Sequence, residues 1–150
     1  MLILTPESDL AALVGKSLGH GDWFTIDQER IDAFAAITLD EQWIHIDPVR
    51  AASGPYGATI AHGFLLLSLL PALASRATQF AGFATVVNYG LERVRFPSPA
   101  RVDSRVRDQL RLDAVDGTPK GTLLKVTHTI ELEGQDRPAC VAQQLRLLML

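Results

Sequence analysis

The chain has 150 residues, of which 47% are apolar and 21% are charged, and its net charge at pH 7 is −3. This size and composition are typical of one folded domain, residues 1–150, and exclude an intrinsically disordered protein. The lack of a basic excess argues against a nucleic-acid-binding surface.

The start of the chain predicts a protein without a targeting segment. Its first ten residues carry neither a basic start nor the long apolar stretch of a secretory signal, so we expect a cytoplasmic protein. The apolar segment Ile60–Ser75 is shorter than the roughly 20 residues of a membrane-spanning helix, so we expect no membrane segment. The single cysteine, Cys140, lies in a strand-like run and is predicted to be buried and inert.

The first half of the chain predicts a short strand and two helices. Thr5 and Pro6 are typical of a helix start, and this first helix is expected to end near Gly15. Asp22–Ile26 has the character of a short strand. The apolar spacing that follows predicts a helix from residue 25 or 27 to about residue 39.

Two more helices are expected before the middle of the chain. Asp47 followed by Pro48 is typical of a helix start, and Ser53 lies where this short helix should end. The segment Ala61–Arg76 is apolar on all sides, which predicts a helix buried in the core.

The second half predicts four strands, at about residues 86–96, 102–112, 122–132 and 139–150. Apolar and polar residues alternate in the middle two, and turns are expected at Asp116–Gly117 and Glu133–Gly134. The four strands would form an antiparallel meander whose apolar face needs a cover. The apolar helix is the natural cover, which gives an α+β hot-dog architecture, a sheet wrapped around one central helix.

Two ionisable residues interrupt the apolar pattern between the helices. Asp40 and His45 are five residues apart, so they would not face each other on a continuous helix but could converge in a loop. A carboxylate beside an imidazole favours the protonated imidazole, and such a pair can hold a water molecule for general acid–base catalysis. The alternative is that Asp40 caps the next turn and His45 is a hydrogen-bonded surface residue.

The start of the apolar helix is a second candidate. Gly63 would lie in the first helical turn, where free backbone N–H groups can form an oxyanion hole for a ligand carbonyl. His62 could join it. The alternatives are close helix–sheet packing at Gly63 and a capping or packing role for His62.

Other catalytic chemistry finds little support. The four histidines, His20, His45, His62 and His128, do not have zinc-ligand spacing, so we expect no metal. His128 falls on the apolar face of its strand and is predicted to be a satisfied core residue. There is no glycine-rich phosphate loop and no nucleophile elbow, so we expect no cofactor and no covalent catalysis.

The segment from residue 40 to residue 63 closely resembles the MaoC-like dehydratases, also called the (R)-specific enoyl-CoA hydratases. The shared pattern is an Asp, four residues, a His, then Asp-Pro, a glycine-rich stretch and a His-Gly that opens the central helix. Asp40, His45 and Gly63 fit it in order. The sequence of residues 87–107 is also similar to the branch that includes NodN and mycobacterial 3-hydroxyacyl-thioester dehydratases.

This resemblance implies a hot-dog fold, a homodimer, and reversible hydration of a trans-2-enoyl thioester to the (R)-3-hydroxyacyl thioester. The substrate would be carried on coenzyme A or on acyl carrier protein. The family's catalytic pair corresponds to Asp40 and His45, and its carbonyl-binding N–H to Gly63. His62 and Asn88 are further candidates for substrate binding, although a strand that crosses the central helix would also explain Asn88.

Two departures from the family pattern stand out. Many relatives have glycine where this chain has Leu39, so Leu39 would be strained if the position needs a positive φ. Some relatives also use a serine near the place of Pro71, whereas here Ser68 lies one turn earlier. Neither departure removes the catalytic pair, but both bear on the choice of substrate. A non-catalytic thioester-binding protein or partner subunit and a hot-dog thioesterase are the alternative functions.

The arginines of the second half allow two interpretations. Those from Arg93 to Arg111 could attract a phosphorylated carrier or could belong to the solvated face of the sheet. The solvated face is our preferred interpretation.

Overall fold

The computed structural model describes residues 1–150 and contains eight strands and five short helices. The helices are α1 (Gln28–Thr38), α2 (Trp43–Ile46), α3 (Pro48–Ala52), α4 (Gly63–Ser68) and α5 (Leu70–Ala74). The strands are β1 (Leu2–Leu4), β2 (Ser17–His20), β3 (Phe24–Thr25), β4 (Thr78–Phe80), β5 (Thr85–Arg95), β6 (Arg105–Thr118), β7 (Gly121–Leu132) and β8 (Cys140–Met149).

The main sheet is antiparallel and has the strand order β2-β6-β7-β8-β5, with β3 also paired to β6. A separate parallel pair joins β1 to β4. The α4–α5 segment packs on the inner face of the sheet, so the α+β hot-dog architecture that the sequence predicts is confirmed.

The order of the strands differs from the expected meander. The four predicted strands are present, but β5 pairs with β8 instead of β6. The link between β5 and β6, residues 96–104, contains Pro97 and Pro99 and is too long for a tight hairpin. It crosses the end of the sheet and pairs with the chain that leads into α4, through the backbone bridge between Ile60 and Arg101.

Two helix predictions are corrected by the structure. The region after Thr5 contains only turns and a single 3-10 turn, Ala11–Leu13, because the residues before it pair as a strand with β4. The central helix is interrupted at Leu69, two residues before Pro71, because proline has no N–H to continue the helical hydrogen bonds. One side of it is also open, since Phe64 is 67% exposed.

One predicted turn lies elsewhere in the structure, whereas the predicted burial of Cys140 is confirmed. The turn expected at Asp116–Gly117 lies three residues later, at Pro119–Lys120, because β6 continues to Thr118. Cys140 is fully buried, and the loss of hydration raises the pKa of its thiol to about 12, which confirms an inert cysteine. No helix in the structure has both the length and the apolar character that crossing a bilayer requires.

The apolar core is divided into two clusters by a polar layer. One cluster surrounds α4 and the ends of the sheet strands near Ile130, and the other surrounds β2 and β4 near Leu124. Between them, on the inner face of the sheet, lie four buried polar side chains: Asp108, His128, Gln144 and Arg146. We call these four residues the polar layer.

Each member of the polar layer has a partner inside the protein. Nδ1 of His128 lies 2.6 Å from Oδ2 of Asp108, so the expected core histidine is buried and paired through Nδ1, whereas its Nε2 is buried without a partner. Burial raises the pKa of Asp108, while His128 and Arg146 act to lower it. Burial lowers the pKa of Arg146, and the negative charge of Asp108 acts to raise it. The layer therefore holds opposite charges that depend on each other.

We expect Asp108→Ala to destabilise the protein by about 3–5 kcal/mol, since it leaves Arg146 and His128 buried without the carboxylate. The measurement is the midpoint and slope of urea unfolding. Glu133→Ala is the control, because Glu133 pairs with Arg105 at the surface, and its loss should cost no more than about 1 kcal/mol. Equal losses for the two variants would contradict the proposed interdependence.

Candidate active site

The segment that carries Asp40 begins with a left-handed turn. Helix α1 ends at Thr38, and Leu39 has φ 61° and ψ 23°. This conformation costs a leucine roughly 1–2 kcal/mol. The position therefore has the positive φ at which we expect a leucine to be strained. The turn directs Asp40 away from the helix axis, and its side chain is exposed to solvent.

His45 is fixed by hydrogen bonds on both its ring and its backbone. It lies in α2 and is only 7% exposed. Its Nδ1 lies 2.7 Å from the carbonyl oxygen of Ile60, and Ile60 N–H donates in turn to the carbonyl of Ile44 at 3.0 Å. Because a carbonyl only accepts, Nδ1 carries the proton and the neutral ring presents its lone pair at Nε2.

His62 contacts both of these residues. Its Nε2 lies 2.9 Å from the backbone oxygen of Asp40, and its ring stacks on that of His45 with centroids 3.7 Å apart. It precedes α4 but makes no side-chain cap to that helix. Its Nδ1 is buried without a partner. The side chain of His62 therefore supports the segment that holds Asp40.

The structure thus brings three predicted residues together. Asp40, His45 and His62 each place one carboxylate or ring atom within 4.8 Å of those of the other two. This set of donors does not form a good metal site, because the rings of His45 and His62 stack with centroids 3.7 Å apart and a tilt of only 23°, which leaves their lone pairs in separate, nearly parallel planes. Zinc–imidazole bonds of about 2.0–2.1 Å require lone pairs that converge on one point.

The environment keeps His45 neutral. Burial is the largest influence and lowers its pKa; the hydrogen bond to Ile60 raises it, His62 lowers it, and Asp40 raises it. The net direction is downward from the ordinary value. The sequence led us to expect that the carboxylate of Asp40 would favour protonated His45. Asp40 does raise the pKa of His45, but the loss of hydration lowers that pKa by more.

Gly63 follows His62 directly and opens α4. Its N–H makes no hydrogen bond within the chain, as expected at the first position of a helix. A Cβ at this position would lie 2.9 Å from the ring of Phe96, so close packing also requires glycine here. The geometry therefore fits both interpretations of Gly63, the free N–H and the close contact.

Asn88 lies apart from these residues, on β5. It lines a cavity of about 290 Å³ between the central helix and the sheet, together with Ser68 and Pro71. Ser68 does not reach the Asp40 segment, because its hydroxyl donates to the carbonyl of Phe64 one turn back in α4. A second cavity, of about 210 Å³, contains Gly63.

The arginines divide into two groups. Arg105, Arg107 and Arg111 each pair with a carboxylate of the outer sheet face, which supports the solvated-face interpretation for them. Arg93, Arg95 and Arg101 are exposed and form no ion pair.

Gln28 and Thr59 hold the site in place, although no sequence pattern identified either residue. The amide nitrogen of Gln28 donates to the backbone oxygen of His45 at 2.7 Å, and its oxygen accepts from the hydroxyl of Thr59. A polar residue in the first turn of a helix is common in any protein. Gln28 differs from such residues only in its hydrogen bonds to His45 and Thr59, which are distant in the sequence.

Comparison with known proteins places the chain within a family. The model of the MaoC like domain matches residues 9–133. The 3-hydroxyacyl-thioester dehydratase Z of Mycobacterium tuberculosis is 49% identical over 139 residues, which cover 92% of this chain and 92% of that protein. Nodulation protein N of Rhizobium leguminosarum bv. viciae is 41% identical over 151 residues, which cover 94% of this chain and 89% of that protein.

A solved structure gives the same result for the fold. The (R)-hydratase from A. caviae involved in PHA biosynthesis superposes with a TM-score of 0.74 and 25% sequence identity. The superposition covers 90% of this chain and 96% of that chain.

The left-handed turn yields a stability prediction. We expect Leu39→Gly to stabilise the fold by about 0.5–1 kcal/mol, because the relief of strain exceeds the entropy that glycine adds to the unfolded chain. Leu39 is 84% exposed, so the loss of its side chain costs little burial. Thermal unfolding provides the measurement. Ile37→Gly, at an exposed position inside α1, should destabilise instead, and a destabilised Leu39→Gly would show that the turn is not strained.

Proposed function

This chain belongs to the MaoC-like domain family, and from this premise we propose that Asp40 and His45 catalyse its reaction. The chain is a hydro-lyase that adds water to a trans-2-enoyl thioester and removes it from the (R)-3-hydroxyacyl thioester. The observation that carries the proposal is the approach of the Asp40 carboxylate and a His45 ring nitrogen to within 4.8 Å of each other. Residues 1–150 would act as a single domain.

The reaction needs one group to remove a proton and one to deliver a proton. In the hydration direction, the oxygen of water bonds to C3 while that water loses a proton to the pair. C2 gains a proton from the same pair, and the C2–C3 double bond becomes single. His45 supports this chemistry because it presents a neutral Nε2, and Asp40 does so because its carboxylate is reachable by water.

Charge that builds on the thioester oxygen needs a donor. The free N–H of Gly63 is suited to this role because it makes no hydrogen bond within the chain and opens α4. Its neighbour Phe96 packs on the same glycine and would exclude water from one side. Gly63 would thus bind the carbonyl while the pair acts on C2 and C3.

We assign His62 a positioning role beside this pair. Its N–H binds the backbone of Asp40, and its ring supports the ring of His45. A displacement of about 1 Å in a reacting group can cost roughly 10²-fold in rate, so a rigid support has a large effect. Asn88 would act farther along the bound acyl chain, in the cavity beside Pro71.

The thioester would be carried on coenzyme A or on acyl carrier protein, and the protein would act as a homodimer. Strand β5 is an open edge whose apolar side chains Val86, Tyr89 and Leu91 are 38%, 60% and 44% exposed. Unpaired edges of this kind are normally covered. A second copy on β5 would also cover the open side of α4, where Phe64 is exposed.

The first experiment is hydration of crotonyl-CoA, followed by the loss of enoyl-thioester absorbance. We expect Asp40→Asn and His45→Gln each to lower kcat/KM by roughly 10²–10⁴-fold. Because the two groups act together, the double variant should lose little more than the worse single variant. Glu41→Gln is the matched control, since it changes an exposed carboxylate next to Asp40.

The outcome separates three functions. Consumption of the enoyl band without release of thiol, lost in both variants, supports the hydro-lyase assignment of the pair. Release of free thiol would indicate a thioesterase. An inert wild-type protein that still binds enoyl-CoA would indicate a binding protein or partner subunit.

The neutral state of His45 gives a pH prediction. Burial lowers its pKa, so the neutral form persists at pH values below the ordinary 6.5. If catalysis requires neutral His45, the acidic decline of kcat/KM should have its midpoint below pH 6.5. A midpoint at or above pH 6.5 would contradict this. The residual activity of His45→Gln, measured over the same range, provides the baseline without the imidazole.

A further inference from the structure

A chain of hydrogen bonds connects the polar layer to the cavity that Asn88 lines. Nε of Arg146 donates to Oε1 of Gln144 at 2.9 Å, and Nε2 of Gln144 donates to Oδ1 of Asn88 at 3.0 Å. Gln144 is only 4% exposed and Arg146 only 6%. Asn88 itself is exposed, so the chain of hydrogen bonds runs from the interior to the open side of the cavity.

The direction of this chain is fixed at its buried end. An arginine side chain can only donate, so Gln144 must turn its oxygen toward Arg146. Its amide nitrogen then points to Asn88, which must turn its own oxygen inward to accept. The charge of Asp108, at the far end of the polar layer, favours the charged form of Arg146. Each amide thus has only one consistent orientation.

The consequence for the cavity is an oriented hydrogen-bond donor. Since Oδ1 of Asn88 is used inside, its Nδ2 remains and makes no hydrogen bond within the chain. Leu67, Leu70, Pro71 and Leu91 form the apolar part of the remaining wall, and Ser68, Gly90 and Gln144 complete it. The hydroxyl of Ser68 already donates to Phe64, and the amide of Gln144 donates to Asn88. A ligand in this cavity would meet a largely apolar wall and the free amide donor of Asn88. A carbonyl oxygen is the matching group.

The cavity lies along the helix that begins at Gly63. The lining residues from Leu67 to Pro71 are four to eight positions farther on, which is roughly 6–12 Å along the axis. A thioester whose carbonyl binds at Gly63 could extend its acyl tail along this helix. The tail of a short substrate such as a crotonyl group would end before the cavity.

We propose that this cavity is a subsite for the acyl tail and that Asn88 selects enoyl thioesters whose tail carries a carbonyl oxygen over those with a plain alkyl tail. This inference rests on the proposed hydration of enoyl thioesters. It adds a substrate class, an oxo-substituted acyl chain, that the reaction itself does not require.

The test compares matched substrates. A series of oxo-2-enoyl-CoA thioesters, with the ketone at successive carbons beyond C4, is compared with the plain 2-enoyl-CoA of the same length. We expect wild-type kcat/KM to be roughly tenfold higher for at least one ketone than for its plain counterpart, the effect of one hydrogen bond. Crotonyl-CoA is measured alongside.

Variants test whether Asn88 is the source of the preference for a ketone. Asn88→Leu should bring the ratio to one or below, and Asn88→Asp should lower it further, since a carboxylate repels the ketone oxygen. Gln144→Leu should reduce the ratio because Asn88 loses its orientation. Gln143→Leu is the matched control, since Gln143 is the adjacent residue of β8 and lies on the opposite face. It should keep the wild-type ratio. Should Gln144→Leu fail to fold, the two Asn88 variants carry the test.

The results distinguish a wrong subsite from a wrong function. Suppose that wild type hydrates crotonyl-CoA but prefers no ketone, or that the preference for a ketone persists in Asn88→Leu. Either result would reject the role of Asn88 in this subsite and leave the proposed function intact. If crotonyl-CoA and all longer thioesters are inert, the proposed function itself is wrong.

Discussion

The candidate site depends on two hydrogen bonds made by one residue, Ile60. Its carbonyl accepts from the ring of His45 and its N–H donates to the carbonyl of Ile44, so one backbone unit fixes both the imidazole and the helix that bears it. Ile60 is in turn held by its bridge to Arg101, on the link that crosses the end of the sheet. The position of the imidazole is therefore set by the sheet, although α2 itself has only four residues.

The same dependence on distant parts of the chain explains the polar layer. Buried charges normally weaken a core, because the loss of hydration offsets most of their attraction. Here Asp108, His128 and Arg146 come from three adjacent strands, and each is neutralised or bonded only when β6, β7 and β8 are in register. A slip of one residue would turn these groups to the other face. The layer thus specifies register more than it adds stability.

Local sequence patterns predicted most of the helices and strands, but they did not predict which strands pair with each other. Periodicity gave α1 and the inner face of β6 and β7, because both depend on neighbours a few residues away. The motif singled out Asp40 and His45, which the structure brings to within 4.8 Å of each other, and position 39, where the structure has a left-handed leucine. The position of β5 beside β8 and the role of Asp108 could not be predicted, since they depend on partners far along the chain. The helix expected after Thr5 failed for the same reason, because its neighbours pair with β4.

The donor-only side chain of Arg146 has a consequence for how such a protein can diverge. An acceptor at position 146 would reverse the amide of Gln144 and then that of Asn88, so the cavity would offer an oxygen in place of a nitrogen. The wall itself would keep the same residues and the same shape. A preference for one tail chemistry can thus be inherited, lost or inverted through a residue that no ligand touches, and a comparison of cavity walls between relatives would not detect the change.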